Sequence, residues 1–281
     1  MDSTFIKTNG IRLHAVTAGD PTDPLIVLLH GFPEFWKGWE KQIPLLADQG
    51  YFVVAPDQRG YNLSDKPWRI GAYTQDKLAM DIAGLIRQVG KDSAVVAGHD
   101  WGAAVAWHLA ANFPEIVEKL VIVNVPHRKA FERRFRSDPV QRKKSRYMLQ
   151  FQLPLLPQWM LRRKDFSALA AALTKTSKPG TFSQKDISEY KEAWRQKRAI
   201  PCMLNWYRAA FRRRLKLRKV QVEPPTLILW GRKDRFLREK MAEESLEFCK
   251  DGHVKFFDDA THWILHESPR ETTNAILDFL S

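Results

Sequence analysis

The sequence predicts an α/β architecture: a mostly parallel, eight-stranded sheet flanked by helices, with a helical insertion between two of its strands. Three observations carry this. Short apolar runs alternate with helix-length amphipathic segments, the rhythm of a parallel sheet. The runs are near-continuous in Val, Ile and Leu, as expected of strands buried on both faces. Between about Pro126 and Glu223 the rhythm stops, and the chain becomes helical in tendency, basic and punctuated by proline.

Taken in order, Phe5–Lys7 and Ile11–Thr17 form an expected hairpin through Asn9-Gly10, a dipeptide suited to a tight turn. Candidate strands follow at Leu25–Leu29, Phe52–Ala55, Ala94–Ala97, Leu120–Val123, Thr226–Trp230 and Val254–Phe257. Candidate helices include Gln75–Val89, Trp101–Asn112, Glu239–Phe248 and Arg270–Leu280. Strands resume at Thr226, so one inserted module explains the middle stretch more simply than a second sequential domain. The expected division is a core of residues 1–126 and 223–281 and a helical cap of residues 127–222.

The 281 residues suffice for such a unit. The first residues, MDSTFIKTNG, lack the basic start and apolar stretch of a secretory signal. No run approaches the ~18–20 apolar residues of a bilayer span, so a cytoplasmic location is expected. Cys202 and Cys249 are far apart and lack metal-ligand spacing, which predicts two idle thiols and no metal. Ten Trp imply large apolar surfaces lining a core or a pocket.

The net charge of +13 is uneven. Residues 128–219 hold 26 Lys and Arg against 6 Asp and Glu, while the rest holds 19 against 26. The basic residues are interleaved at helical spacing with Leu, Phe and Trp and carry no nucleic-acid motif. They read as a solvated helical face, with a weak attraction to anionic membrane surfaces or acidic substrates and no nucleic-acid partner.

The segment AVVAGHDWGAAVAWHLA places a buried strand, a turn and a helix around Asp100. Gly98 and Gly102 flank it at two positions on either side, similar to the nucleophile elbow of α/β-hydrolases. A carboxylate there can attack an electrophilic carbon and form an ester. The competing reading is a helix N-cap, a role Asp favours. Ester hydrolysis needs a base, and His262 qualifies because it follows the last predicted strand and precedes the final helix. The acid should follow the preceding strand, which selects Asp234 over Asp258 and Asp259. An oxyanion hole is expected from the N–H groups of Phe32 and Trp101, and His30 and His99 are expected to be structural.

These segments resemble the epoxide hydrolases of the α/β-hydrolase superfamily along essentially the whole chain. The resemblance rests on HGFPEFWKGW (30–39), DQRGYNLSDKP (57–67), GHDWGAA (98–104), WGRKD (230–234) and ATHW (260–263). It implies two cap tyrosines that hold the epoxide oxygen: Tyr147, in YMLQFQLP, and Tyr207, in Asn205-Trp206-Tyr207-Arg208. An alkoxide leaves poorly unless a proton or a strong hydrogen bond accompanies attack, whereas a halide needs none. Haloalkane dehalogenases sharing the Asp, His and acid are therefore the alternative, and a non-catalytic protein on the same fold is the more distant one. Fluoroacetate dehalogenases are disfavoured because Trp101, not Arg, follows the nucleophile, and Ala104 occupies the region of their second arginine.

Two departures stand out. Asn62 replaces a common glycine, which predicts a positive φ that Asn tolerates. The elbow continues with alanines where a second glycine is common. The implied function is cofactor-independent hydrolysis of an apolar epoxide to a vicinal diol, by a monomer or homodimer. Phe32, Pro33, Trp36, Trp101 and Trp263, with Phe35, would line an aromatic entrance.

Overall fold

A computed structural model describes residues 1–212 and 220–281. Residues 213–219, part of the predicted cap and of its basic charge, lie outside the described residues. The sheet has eight strands: β1 (Asp2–Thr8), β2 (Ile11–Ala18), β3 (Leu25–Leu29), β4 (Phe52–Pro56), β5 (Ala94–His99), β6 (Val117–Val123), β7 (Thr226–Gly231) and β8 (Gly252–Phe257). Their spatial order is β1-β2-β4-β3-β5-β6-β7-β8; β2 pairs antiparallel with both β1 and β4, and every other pairing is parallel. Asn9 and Gly10 both take positive φ, +43° and +74°. That is the turn geometry whose twist matches a two-residue hairpin.

Helices on the two faces are α1 (Gln42–Ala47), α2 (Gln75–Gln88) and α3 (Trp101–Asn112). Between β6 and β7 come α4 (Arg128–Ser137), α5 (Pro139–Lys144), α6 (Arg146–Gln150), α7 (Leu156–Thr174), α8 (Gln184–Arg195) and α9 (Ala199–Arg212). The chain closes with α10 (Lys240–Leu246), α11 (Ile264–Glu267) and α12 (Pro269–Leu280). α7 is broken at Arg163–Phe166, where Lys164, Asp165 and Phe166 take left-handed φ. Val222 has rejoined the sheet side of the molecule, pairing its backbone with Phe248 and Lys250.

β3, β4, β5 and β7 are buried at every position, matching their continuous apolar runs. Val254–Phe257 does not follow the expectation of burial on both faces. β8 is an edge strand with β7 as its sheet neighbour, and its residues run from half-buried to exposed. β6 begins three residues earlier than expected, because Glu118 and Lys119 hide its start in an otherwise apolar pattern.

Two apolar layers sandwich the sheet. One joins it to α2, α3 and the helices between β6 and β7; the other joins it to α1, α11 and α12. A fully buried Leu or Ile contributes roughly 1.5–3 kcal/mol, so positions such as Leu28 and Ile276, both at 0% exposure, fix the sheet firmly. Trp39, Trp194, Trp206, Trp230 and Trp263 are among the largest fully buried side chains. Among the described residues no helix is long and apolar enough to cross a membrane.

The chain runs from β3 outward to β4, then returns across β3 to β5. The carboxyl ends of β3 and β5 therefore flank the point where the winding reverses, the usual position of a site in an open parallel sheet.

Candidate active site

Every sheet-borne residue singled out above lies just past a strand's carboxyl end. Asp100 is the single residue between β5 and α3, with φ +48° and ψ −122°. A non-glycine residue persists in such a conformation only where its surroundings enforce it. Here they do. A Cβ on Gly98 would come within 2.6 Å of the Ala103 nitrogen, and one on Gly102 within 2.2 Å of the Leu29 carbonyl oxygen. The carboxylate makes no capping hydrogen bond to α3, which removes the N-cap reading. Instead its Oδ1 accepts from the Phe32 N–H at 2.7 Å. That approach depends on Gly31, where a Cβ would lie 2.2 Å from the Asp100 Cβ. Trp101 is the first residue of α3, so its N–H has no carbonyl partner one turn back within the helix.

His262 joins the two aspartates. Its Nδ1 lies 2.7 Å from Asp234 Oδ2, and its Nε2 lies 3.5 Å from Asp100 Oδ2. Asp234 is held from several sides. Oδ1 accepts from the N–H groups of Phe236 and Leu237 at 2.6 and 2.9 Å, and Oδ2 accepts from Asn124 Nδ2 at 2.8 Å. Asp258 and Asp259 point outward to Arg232 and Lys233 and have no part in this arrangement.

The electrostatics follow from this geometry. Burial disfavours the Asp100 anion, but the hydrogen bond and charge of His262, neighbouring His99 and the Phe32 N–H hold its carboxyl below the usual range. Asp234 is lowered in the same way, against its burial, by His262 and Asn124. Burial also opposes charge on His262, yet the two carboxylates outweigh it and raise the imidazole to about 10. Its folded-state value thus lies above its ordinary one. The resulting stabilisation is whole below an unfolded imidazole's value of about 6.5, shrinks above it, and is gone past about 10. The Tm difference between the native protein and His262→Gln should therefore narrow as pH rises from about 6 to about 10. A constant difference in thermal denaturation would mean that the imidazole carries no charge.

Behind this trio lies a buried polar layer. His99 Nε2 lies 2.9 Å from the His262 carbonyl, and its Nδ1 faces Glu34 Oε2 at 3.2 Å. Glu34 Oε1 accepts from His266 Nε2 and from the Tyr190 hydroxyl of α8, each at 2.7 Å. Burial alone would raise the Glu34 carboxyl, but His266 and His99 hold it well below the usual range. His30 accepts from the Gln58 N–H at 2.9 Å. His30 and His99 thus make the structural hydrogen bonds expected of them.

Tyr147 on α6 and Tyr207 on α9 come together with ring centroids 6.0 Å apart. Tyr207 packs edge-on against Trp101 at 4.9 Å and Phe32 at 5.3 Å, the two residues that adjoin Asp100. Burial first, and the Asp100 charge as well, raise both phenols, so each keeps its O–H proton at neutral pH. Trp263 packs against His262 at 5.2 Å, and its Nε1 donates to Thr176. The Pro33 carbonyl accepts from Trp194 Nε1 at 2.6 Å. Trp36 stacks edge-on against Phe35, and Asp57 Oδ1 accepts its backbone N–H. Asn62 takes the expected positive φ, +34°.

Sequence reasoning missed Asn124, Phe151, Phe236 and Glu34. Asn124 directly follows β6, so its place at the sheet's carboxyl edge was a usable signal. Phe151 lies one helical turn beyond Tyr147 and packs on Tyr207 at 4.9 Å. Phe236 packs on His262 at 5.1 Å, a contact that no local pattern signals. Among the described residues no cluster of three or more His, Cys, Asp or Glu could hold a metal ion.

A family described as the alpha/beta hydrolase fold matches residues 24–269. The chain is 49% identical over 276 residues to the AB hydrolase superfamily protein YfhM of Bacillus subtilis, covering 98% of this chain and 96% of that one. It is 36% identical over 286 residues to Epoxide hydrolase 1 of Caenorhabditis elegans, covering 100% of this chain and 70% of that one. Among solved structures, it resembles an inhibitor-bound epoxide hydrolase of Bacillus megaterium with a TM-score of 0.91 and 32% identity, over 99% of both chains.

Proposed function

Because this chain belongs to the epoxide hydrolases of the α/β-hydrolase superfamily, we propose that it converts an apolar epoxide to a diol through an ester on Asp100. The observation that carries the reading is the pairing of Tyr147 with Tyr207, packed on the Phe32 and Trp101 that border Asp100. An attacking carboxylate and two protonated phenols among the same aromatic rings suit an electrophile whose leaving atom needs a proton.

Asp100 attacks one epoxide carbon, and the breaking C–O bond leaves its electron pair on oxygen, which takes a proton from a tyrosine. Esterification removes the negative charge on Asp100 that helped raise His262. The imidazolium then gives up its proton, which restores the phenol. Neutral His262, held by Asp234, next takes a proton from water as the hydroxide adds to the ester carbonyl. The Phe32 and Trp101 N–H groups hold the oxyanion. The imidazolium protonates the departing alcohol, and the Asp100 acid returns its proton to His262. The sum is epoxide plus water giving diol. No step calls for a cofactor.

Tyr147→Phe and Tyr207→Phe should each slow diol formation by about 10–100-fold, and the double variant by more. Folding should be preserved, because only the hydroxyls are lost. Diol and halide release measured side by side on styrene oxide and a haloalkane panel would check this. Unchanged epoxide turnover in the double variant would remove the phenols from the reaction, and halide release exceeding diol formation would favour a dehalogenase.

A further inference from the structure

We propose that the face of the insertion formed by residues 149–160, with its basic rim, docks on an anionic phospholipid surface. Among the described residues thirteen large apolar side chains are exposed, and six of them fall between Leu149 and Met160. Scattered exposed apolar residues are ordinary, whereas a contiguous set marks an interaction surface. Leu155 at the tip is 78% exposed.

The tip is held in this outward form. Beneath it, buried Arg208 donates to the Phe151 and Leu153 carbonyls at 3.1 and 2.9 Å, and Arg212 donates to the Gln152 carbonyl at 2.7 Å. Leu155 has φ +57° and ψ −44°, with the Leu156 N–H bonded across it to the Pro154 carbonyl. This tight three-residue turn puts a leucine in the left-handed region. The backbone is thus strained to present leucine to the outside.

Charge identifies the occupant. From Pro139 to Lys164 the sequence holds seven Lys or Arg and no Asp or Glu. Among the described residues Lys143, Arg146, Arg162 and Arg163 have no carboxylate partner, and the Arg163 guanidinium lies 4.3 Å from the Trp159 ring centroid. Leu and Trp at the centre with Arg and Lys around them match a segment lying in a headgroup boundary. A second copy fits poorly, since a two-fold contact would set this basic rim against itself. α6 connects this face to the site, carrying the half-buried Tyr147 against the Tyr207 ring and Leu149 outside.

The test is flotation of the full chain with vesicles of phosphatidylcholine, alone or mixed with phosphatidylglycerol. Binding to the mixed vesicles should be at least about tenfold stronger and should weaken by about tenfold at high salt. Leu155→Ser combined with Trp159→Ser should lower it by about tenfold, as should Arg162→Glu with Arg163→Glu, each at unchanged Tm. No preference for the mixed vesicles, or binding indifferent to both double variants, overturns the proposal. So does light scattering that finds a dimer which the Leu155/Trp159 variant converts to monomer.

Discussion

Asp100→Asn should lower epoxide turnover by about 10⁴-fold or more, the scale seen when a covalent nucleophile is removed. Asparagine is the informative replacement because it also tolerates positive φ, which Asp100 adopts at +48°. Its side-chain oxygen can still accept the Phe32 N–H, so the elbow and the loop after β3 should keep their packing. Substrate binding should survive, since the aromatic rings around Asp100 are untouched. Steady-state diol formation, with product inhibition as a binding readout, separates the two effects. Turnover within tenfold of native would show that Asp100 does not form the ester.

His262→Gln should separate the half-reactions. Ring opening needs the Asp100 carboxylate and the phenols, so alkylation should continue, though slower because the carboxylate loses its cationic neighbour. Hydrolysis needs a base, and its loss should slow that step by about 10²–10⁴-fold. The ester should then accumulate, appearing in mass spectrometry as the Asp100 peptide plus the whole substrate mass. A single burst of consumed epoxide, equal to the enzyme present, should replace steady turnover. An enzyme that stalls with no added mass would assign His262 to the first step.

The sheet and the elbow were legible in the sequence because each rests on local chemistry. A buried parallel strand needs an unbroken apolar run, and the turn at Asp100 needs glycines that contact backbone on either side. The exposure of Val254–Phe257 was not legible, since edge position depends on which strand lies outermost. The trio of Asp100, Asp234 and His262 could be ordered by strand position alone. Asn124, directly after β6, carried the same signal, whereas Glu34 follows no strand and meets Tyr190 and His266 from 156 and 232 residues away. Tyr147 and Tyr207 stood out through resemblance rather than periodicity, because an inward phenol on an amphipathic helix looks like any core aromatic.

One feature of the chamber bears on how such a protein can diversify. Asp100, His262 and Asp234 hang from the sheet, while Tyr147 and Tyr207 are carried by α6 and α9 between β6 and β7. In the mechanism proposed above, the step that chooses a substrate therefore draws on both parts, and the step that releases product draws on the sheet alone. Replacing residues along α6, α7 or α9 can redirect which molecules react while leaving the ester-cleaving apparatus as it was. Selection for new targets can thus act on one stretch of chain without rebuilding the rest.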